Sequence, residues 1–373
     1  MHQTQSTSAS THFLRHDPTD HATAICDELV GPPRPEPDQP STHRTLLPLL
    51  QAAERGTRDA LAPGPTVNRS LGRLVELVTT AGLRPQTLRP TPERLPAVAR
   101  AVDHRLATSP SLAERAADLR RIAGLAETEL ELHHARLLLA GEQAEPTDRS
   151  SAPGTPNGTD RPNLGPTDPL AAALGGFPYL ANYRLLTDAE LAGLATLTET
   201  RHLTFCGAGA LPLTGVLANG RTGARVRLID IDPPTVELAC RVVHHLEQRR
   251  QVARGRVRVE LGDAGAIDLS GTDAVVIASL IPTDTVMRLT ERLGMLPVGR
   301  RPVLIVRSAT GLVRHFAYDR IEPSTIEAVG GYRHAGSVVP DGWQSRSGGR
   351  PLAVADRSVL NTSEYFLPTG TAC

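Results

Sequence analysis

The chain has 373 residues, no formal net charge, and 40 basic residues that are all arginine. Without lysine it cannot form a Schiff base with pyridoxal phosphate or use a P-loop lysine on nucleotide phosphates, and its neutral balance predicts neither a nucleic-acid nor a membrane partner. No apolar run approaches the roughly 20 residues that span a bilayer, and the polar start is unlike a signal peptide, so the sequence predicts a soluble cytoplasmic protein.

The first half of the chain is expected to be helical after a polar tail. Residues 1–20 lack apolar periodicity and are predicted to be disordered. Residues 21–141 are expected to form an N-terminal helical domain, because apolar residues recur at helical spacing from Leu46 to about Ala140. A long helix is expected to begin at Pro110 and to end before Gly141. Residues 142–169 form a low-complexity run rich in Pro, Gly and Thr, which predicts a flexible linker.

The second half begins like a nucleotide-binding fold. HLTFCGAGALPLTG (202–215) reads as a buried strand, a glycine-rich turn and a helix, because Gly207 and Gly209 can adopt backbone angles closed to other residues. The next strand ends at Asp230, about 20 residues beyond the glycines, where a carboxylate commonly binds the two ribose hydroxyls. The pattern predicts a domain that binds an adenosine-containing cofactor.

The spacing of the glycines favours S-adenosylmethionine (SAM) over a dinucleotide. A dinucleotide site needs a third glycine close behind the second, whereas five residues separate Gly209 from Gly215. Asp263 follows a predicted third strand, where SAM folds often place a carboxylate near the adenine; a turn-capping carboxylate is the alternative. Ser279 lies in a fourth, apolar strand segment (272–281) at the expected edge of the cofactor.

Together these patterns predict an α/β protein with an N-terminal α-helical bundle domain followed by a Rossmann-like class I SAM-dependent methyltransferase-type domain. The second domain is expected over residues 170–350, with a C-terminal extension over 351–373. The cysteines lie far apart without a CxxC pair, so neither a metal site nor a disulfide framework is expected. They are Cys26, Cys206, Cys240 and Cys373.

The segment before the first strand concentrates aromatic residues. Phe177, Tyr179 and Tyr183 lie within GFPYLANYRLLTDAELAGL (176–194), although only 3% of the chain is aromatic. They either seal the seam between the two domains or line a substrate pocket, with the phenol hydroxyls as hydrogen-bonding groups.

At these residues the sequence resembles the nicotianamine synthases of plants and their archaeal and bacterial relatives. The most specific similarity is FPY–x–x–NY–x–x–L at 177–186, followed by Thr187 and Glu190. The resemblance extends from about Leu61 to Pro340 and includes further segments: PTVNRSLGRLVELV (65–78), GLAETELELH (124–133), LPLT (211–214), DIDP (230–233) and RSATGLVRHFAY (307–318).

The resemblance implies transfer of the 3-amino-3-carboxypropyl group of SAM, as co-substrate, to an amine, with release of 5′-methylthioadenosine. The acceptor would be an amino acid or another SAM-derived unit, and the product a nicotianamine- or opine-type metallophore of the bacterial kind. Such an enzyme must orient an unusual carbon of SAM toward the nucleophile and remove a proton from an ammonium group, because only the free amine is nucleophilic.

The resemblance also implies roles for individual residues. Glu127 and Tyr183 are the catalytic candidates, with Glu127 binding the amine or acting as its base. Glu131 lies one turn further along the same helix face and is a candidate substrate-binding acid. If this face is desolvated, its carboxylates gain basicity; the alternative is a solvated face.

Tyr179, Asn182 and Arg307 complete the predicted substrate-binding set. Arg307 ends the apolar strand PVLIV and can form a forked hydrogen bond to a substrate carboxylate. Structural pairing with an acid of the protein itself is the alternative for this residue.

Two other functions stay open at this point. A SAM methyltransferase would use the same cofactor residues but release S-adenosylhomocysteine, and a non-catalytic SAM-binding protein would not need Glu127 or Tyr183. Fold analogy alone does not separate them. The expected partner is a small-molecule amine, and a homodimer is one expected form of the protein.

Overall fold

A computed structural model describes residues 17–31, 47–49, 51–52, 55, 58–78, 94–140, 174, 177, 179–339, 342–345 and 361–370. Residues 1–16 of the predicted tail and the predicted linker at 142–169 lie outside these residues. Within the described part, no helix is long and apolar enough to cross a membrane. The cytoplasmic location stays a prediction.

The described part of the helical half includes four long helices and one 3₁₀ turn. They are α1 (Pro18–Val30), the 3₁₀ turn Arg58–Leu61, α2 (Pro65–Val78), α3 (Leu95–Thr108) and α4 (Pro110–Ala140). The long predicted helix is α4, which begins at Pro110 as expected, since proline fits the first turn of a helix.

The start of α1 corrects the predicted extent of the disordered tail. Asp17 accepts a hydrogen bond from the backbone N–H of Thr19, and the Asp20 carboxylate accepts one from the backbone N–H of Asp17. This capping box pairs backbone donors that the first turn of a helix leaves unsatisfied. The helix therefore begins at Pro18, within the segment expected to be disordered.

The helices of the second half flank a mixed sheet. They are α5 (Leu180–Ala195), α6 (Leu213–Thr222), α7 (Pro233–Gln248), α8 (Thr283–Gly294), the 3₁₀ turn Val298–Arg300, α9 (Val313–Phe316) and α10 (Pro323–Val329). The strands are β1 (His202–Cys206), β2 (Arg225–Asp230), β3 (Val257–Leu261), β4 (Ala274–Ile277), β5 (Val303–Ser308), β6 (Tyr332–Val339), β7 (Gly342–Ser345) and β8 (Thr362–Pro368).

The strand order is β3-β2-β1-β4-β5-β8-β6-β7, and β1 to β5 are parallel. Strands β2 and β3 lie on one side of β1, and β4 and β5 lie on the other, so the strand order switches between β1 and β4. Ligands of such sheets bind outside the carboxyl ends of the strands at this switch point. The glycine turn follows β1 at that edge. The predicted α/β, Rossmann-like fold class is confirmed.

β8 corrects the predicted C-terminal extension. Residues 362–368 are not an appendage, because β8 pairs antiparallel with both β5 and β6 inside the sheet. Its side chains are almost all buried, including Tyr365 and Phe366. The unit that begins before β1 therefore extends beyond residue 350.

The two halves share part of their packing. The cluster of buried apolar side chains that includes Ile25, Leu119 and Ile122 of the helical half also includes Leu312 and Phe316, which follow β5. Burial of this shared apolar surface stabilises the contact between the helices and the sheet. One consequence is that α4 lies against the edge of the sheet where the strands end.

Candidate active site

A cavity of about 610 Å³ opens at the carboxyl edge of the sheet. Its walls come from both halves of the chain: α4 contributes one side, and the loops after β1, β2, β3 and β4 contribute the other. The volume falls in the usual range for small-molecule sites. Of the predicted site residues, those that line it are Glu127, Glu131, Asn182, Tyr183, Gly207, Gly209, Asp230, Asp263, Ser279 and Arg307.

The glycine turn has the backbone that the sequence predicts. Gly207 and Gly209 have φ of +80° and +66°, a region that disfavours residues with a side chain. A Cβ on Gly207 would lie 2.9 Å from the Cβ of Ala278, so the turn also fits closely against the loop after β4. Both requirements explain why glycine occupies this position.

Asp230 organises the turn from the end of β2. Its Oδ2 accepts the backbone N–H of Gly209 at 2.9 Å, and its Oδ1 accepts that of Asp232 at 3.1 Å. A carboxylate offers about four lone-pair positions, so two such bonds leave capacity for hydroxyl donors of a ligand. The structure therefore brings the predicted ribose-binding residue to the cavity.

Asp263 and Ser279 line the same side of the cavity. Asp263 Oδ1 accepts the backbone N–H of Gly265 at 2.8 Å, so this carboxylate does cap its own turn. Its Oδ2 lies 4.0 Å from the Arg288 guanidinium. The Ser279 hydroxyl is buried and makes no hydrogen bond within the described residues, and a ligand is a suitable partner for such a group.

Helix α4 presents two glutamates to the cavity. Glu127 and Glu131 are four residues apart and therefore share a helix face. The Tyr318 hydroxyl donates to Glu127 Oε2 at 2.7 Å, and the Tyr183 hydroxyl donates to Glu131 Oε1. Both side chains are half-buried and line the cavity, as expected for the desolvated alternative.

Burial controls the protonation of this cluster. Desolvation, followed by the negative charge of Glu127, raises the pKa of Glu131 to about 8, against an opposing hydrogen bond from Tyr183. Desolvation also raises the pKa of Glu127, although the hydrogen bond from Tyr318 opposes it. Burial and the neighbouring carboxylates hold the pKa of both tyrosines well above the usual range, so both remain donors at neutral pH.

Arg307 already has an acid as its partner. Its Nε and Nη2 donate to Oε1 and Oε2 of Glu190 at 2.9 and 2.8 Å, and Nη2 also donates to Thr214 Oγ1 at 3.0 Å. Both charged side chains are about 95% buried, with 5% and 4% exposed. The structural pairing that the sequence left open is therefore present, although Arg307 also lines the cavity.

The aromatic segment divides between the two expected roles. Tyr183 lines the cavity, whereas Tyr179 does not; Tyr179 packs against the apolar clusters of both halves. Its ring lies 6.1 Å from that of Phe177 in an edge-on arrangement. Tyr179 thus packs in the seam between the two halves and does not line the cavity.

Some residues at the cavity were not predicted. Tyr318 stands in the RSATGLVRHFAY segment, and its match to the family pattern was the available signal. Arg288 and Asn361 lie in segments without any recognised motif, so the sequence offered no signal for them. Within the described parts of the chain, no group of three or more His, Cys, Asp or Glu side chains is arranged to hold a metal ion.

Comparison with known proteins agrees with this geometry. Residues 164–343 match the family model described as nicotianamine synthase protein, and no curated protein matches the chain in sequence. A crystal structure of MtNAS in complex with MTA and tNA has a TM-score of 0.59 and 20% identity, over 88% of this chain and 96% of that one.

A glutamate-to-glutamine mutant of MtNAS has also been solved in complex with S-adenosylmethionine. It has a TM-score of 0.55 and 20% identity, over 89% of this chain and 99% of that one. At 20% identity, the two structural matches show a shared fold alone. The family match comes from the comparison of the sequence with the family model. Residues 164–343, which carry the glycine turn, Tyr183 and Arg307, therefore match the nicotianamine synthase family in sequence, in agreement with the resemblance.

Proposed function

We propose that this protein transfers the 3-amino-3-carboxypropyl group of SAM to an amine and releases 5′-methylthioadenosine. The observation that carries the proposal is the pair Glu127 and Glu131, held by tyrosine hydroxyls against the glycine turn of a SAM-type fold. The family match over residues 164–343 supports the same activity.

The charge of the cavity favours a cationic ligand. Carboxylates outnumber guanidinium groups in its lining, and Glu190 neutralises one of the two guanidinium groups, that of Arg307. The sulfonium and ammonium groups of SAM suit such a lining, whereas the phosphates of a dinucleotide do not. The lining carboxylates are Glu127, Glu129, Glu131, Asp230, Asp232 and Asp263.

The two ends of the cavity suggest how SAM lies. Asp230 and Asp263 follow β2 and β3, so the ribose and adenine belong on that side. Glu127 and Glu131 lie on α4, above the glycine turn that follows β1. The methionine arm of SAM would then extend toward the glutamates, which brings its reactive methylene next to the groups that handle the proton.

The chemistry needs one proton transfer. The acceptor arrives as an ammonium ion, and Glu131 is suited to take its proton, because a base with a pKa near the working pH is the most effective. The free nitrogen then attacks the Cγ methylene of SAM. A C–N bond forms, the C–S bond breaks, and its electron pair leaves on the sulfur of neutral methylthioadenosine. Glu127 would hold the ammonium beside Glu131.

We propose an amino acid as the acceptor, with transfer of a single unit; a second SAM molecule is the other candidate. Neither a nucleic acid nor a membrane is needed, and a homodimer stays a prediction that light scattering can test. The leaving group separates the transferase from the two other functions: a methyltransferase releases S-adenosylhomocysteine, and a SAM-binding protein releases neither product.

The test is mass spectrometry of purified protein incubated with SAM, alone and with the twenty proteinogenic amino acids. We expect methylthioadenosine together with one amino acid heavier by one aminobutyrate unit. A product heavier by two or more units would replace the single-transfer model. S-adenosylhomocysteine in place of methylthioadenosine would refute the proposed reaction, and so would SAM recovered unchanged.

A further inference from the structure

Asn361 reaches the cavity from a segment that the family match does not cover. It stands immediately before β8, outside residues 164–343. Because β8 runs antiparallel to β5, its first residues lie at the edge of the sheet where the parallel strands end. Asn361 is therefore at the same edge as the glycine turn, and it lines the 610 Å³ cavity.

The amide oxygen of Asn361 has no hydrogen-bond partner among the residues that the structure describes. The residue is 8% exposed, and its Oδ1 is buried without a hydrogen bond among the described residues. Buried polar groups in folded proteins are nearly always paired, and an unpaired one destabilises the structure. A polar group that is unpaired in a ligand cavity is explained if the ligand supplies the partner. In the described part of the chain, Ser279 is the other cavity residue with such an atom.

Asn361 lies far across the sheet from the residues expected to bind the ribose and adenine. Asp230 and Asp263 follow β2 and β3, and the strands β1, β4 and β5 lie between these two strands and β8. Asn361 is two residues from Ser363, which pairs with Arg307 across β5 and β8. The Arg307 guanidinium is bonded to Glu190, so neutral groups at this end are needed to bind a substrate carboxylate.

We infer that Asn361 hydrogen-bonds the zwitterionic α-amino-acid group of the acceptor and so helps to select which amine is alkylated. A primary amide offers both an acceptor for an ammonium N–H and donors for a carboxylate, and a zwitterion presents both. This inference rests on the proposed function, because it assigns the substrate class of the same cavity.

The test compares Asn361→Leu with Thr362→Val. Both changes nearly conserve shape and remove a buried polar atom that has no partner in the described part of the chain, but Thr362 does not line the cavity. Initial rates of methylthioadenosine release are measured at saturating SAM against an equimolar mixture of the twenty amino acids. We expect Asn361→Leu to raise the apparent KM for the mixture about tenfold, with the KM for SAM unchanged and a Tm equal to or above wild type. Thr362→Val should leave both KM values unchanged.

Asn361→Asp, which keeps the shape of the side chain, covers the case in which the leucine variant does not fold. Its negative charge should also raise the KM for the mixture, by repelling the substrate carboxylate. An unchanged KM for the mixture in the folded variants would overturn the inference. Equal rises in both KM values together with a lower Tm would also overturn it. So would release of methylthioadenosine by the wild type at a rate that does not depend on the amino acids. No methylthioadenosine from the wild type would instead refute the proposed function.

Discussion

The backbone of Gly209 lies directly against the carboxylate of Glu131, so that a Cβ built on Gly209 would overlap Glu131 Oε2 and lie 3.3 Å from its Cδ. The glycine turn of the SAM-binding half is thus in contact with the acid of the helical half. The backbone N–H of Gly209 in the same turn donates a hydrogen bond to the Asp230 carboxylate. Glycine suits this position because of its positive φ, and a side chain here would force the Glu131 carboxylate to move.

Replacement of Gly209 by alanine should therefore impair both stability and catalysis. The strained φ and the overlap should cost about 2 kcal/mol of the free energy of unfolding, and displacement of Glu131 should lower kcat about a hundredfold. Gly220→Ala is the control, since a Cβ there meets nothing within 4 Å and alanine favours the helix by about 0.5–1 kcal/mol. Equal activity of the two variants would show that the contact does not matter.

The hydrogen bond from Tyr183 should set the pH dependence of the reaction. It lowers the pKa of Glu131 from an even higher value, so Tyr183→Phe should move the acid limb of kcat/KM upward by about one pH unit. Tyr318→Phe removes a hydrogen bond that favours the ionised form of Glu127, so the negative charge of Glu127 raises the pKa of Glu131 less. The acid limb should then move to lower pH or stay in place. Upward shifts of the same size in both variants would contradict the assignment of Glu131 as the base.

Glu127 and Asp230 should separate catalysis from SAM binding. Glu127→Gln should abolish transfer and leave the Kd for SAM nearly unchanged, since the amide keeps the shape of the side chain. Asp230→Ala should weaken SAM binding about tenfold or more, because the charged hydrogen-bond acceptor of the ribose is lost. Calorimetric titration with SAM and the turnover rate provide both readouts. Wild-type turnover of the glutamine variant would remove Glu127 from the mechanism.

The buried pair of Arg307 and Glu190 should be important for folding. Glu190→Ala leaves a guanidinium without its counter-charge in the interior and should cost about 3–5 kcal/mol in denaturant unfolding. Asp188→Ala is the matched control: its pair with Arg221 is about half exposed and should be worth less than about 1 kcal/mol. A small effect at Glu190 would indicate that water or another group reaches Arg307.

The Glu131 carboxylate should make stability depend on pH. Its pKa rises from an ordinary 4.5 to about 8 in the folded protein, so its contribution is fully present below pH 4.5 and is lost as pH rises to about 8. Glu131→Gln cannot ionise and avoids this loss. Its Tm should therefore exceed that of the wild type at pH 8.5, and the difference should shrink toward pH 5. A pH-independent difference would show that Glu131 is not desolvated in the folded state.

Local sequence signals were sufficient for the cofactor side of the site. The apolar run of β1, the glycine turn and the acid at Asp230 follow one another within a single βαβ unit, so short-range rules apply to them. The spacing of Glu127 and Glu131 likewise predicts a shared helix face. These parts of the site depend on residues that are near one another along the chain.

The remaining parts depend on contacts that no local pattern encodes. Glu190 and Arg307 are 117 residues apart, and several acids were equally suitable partners for the arginine. β8 carries Glu364 and other polar residues among its apolar ones, so its buried place in the sheet follows only from its pairing with β5 and β6. For the same reason neither the extent of the sheet nor the place of Asn361 was predictable from the sequence.

The interior position of β8 also constrains the order of assembly during synthesis. β8 pairs with β5 on one side and with β6 on the other, and it can do so only after residues 362–368 have emerged from the ribosome. Until then, one edge of β5 and one edge of β6 remain unpaired in the nascent chain. Such edges can pair with other chains and promote aggregation. Slow translation of the segment after β6 would prolong this exposed state, and chaperones that shield unpaired edges would raise the yield of the folded protein.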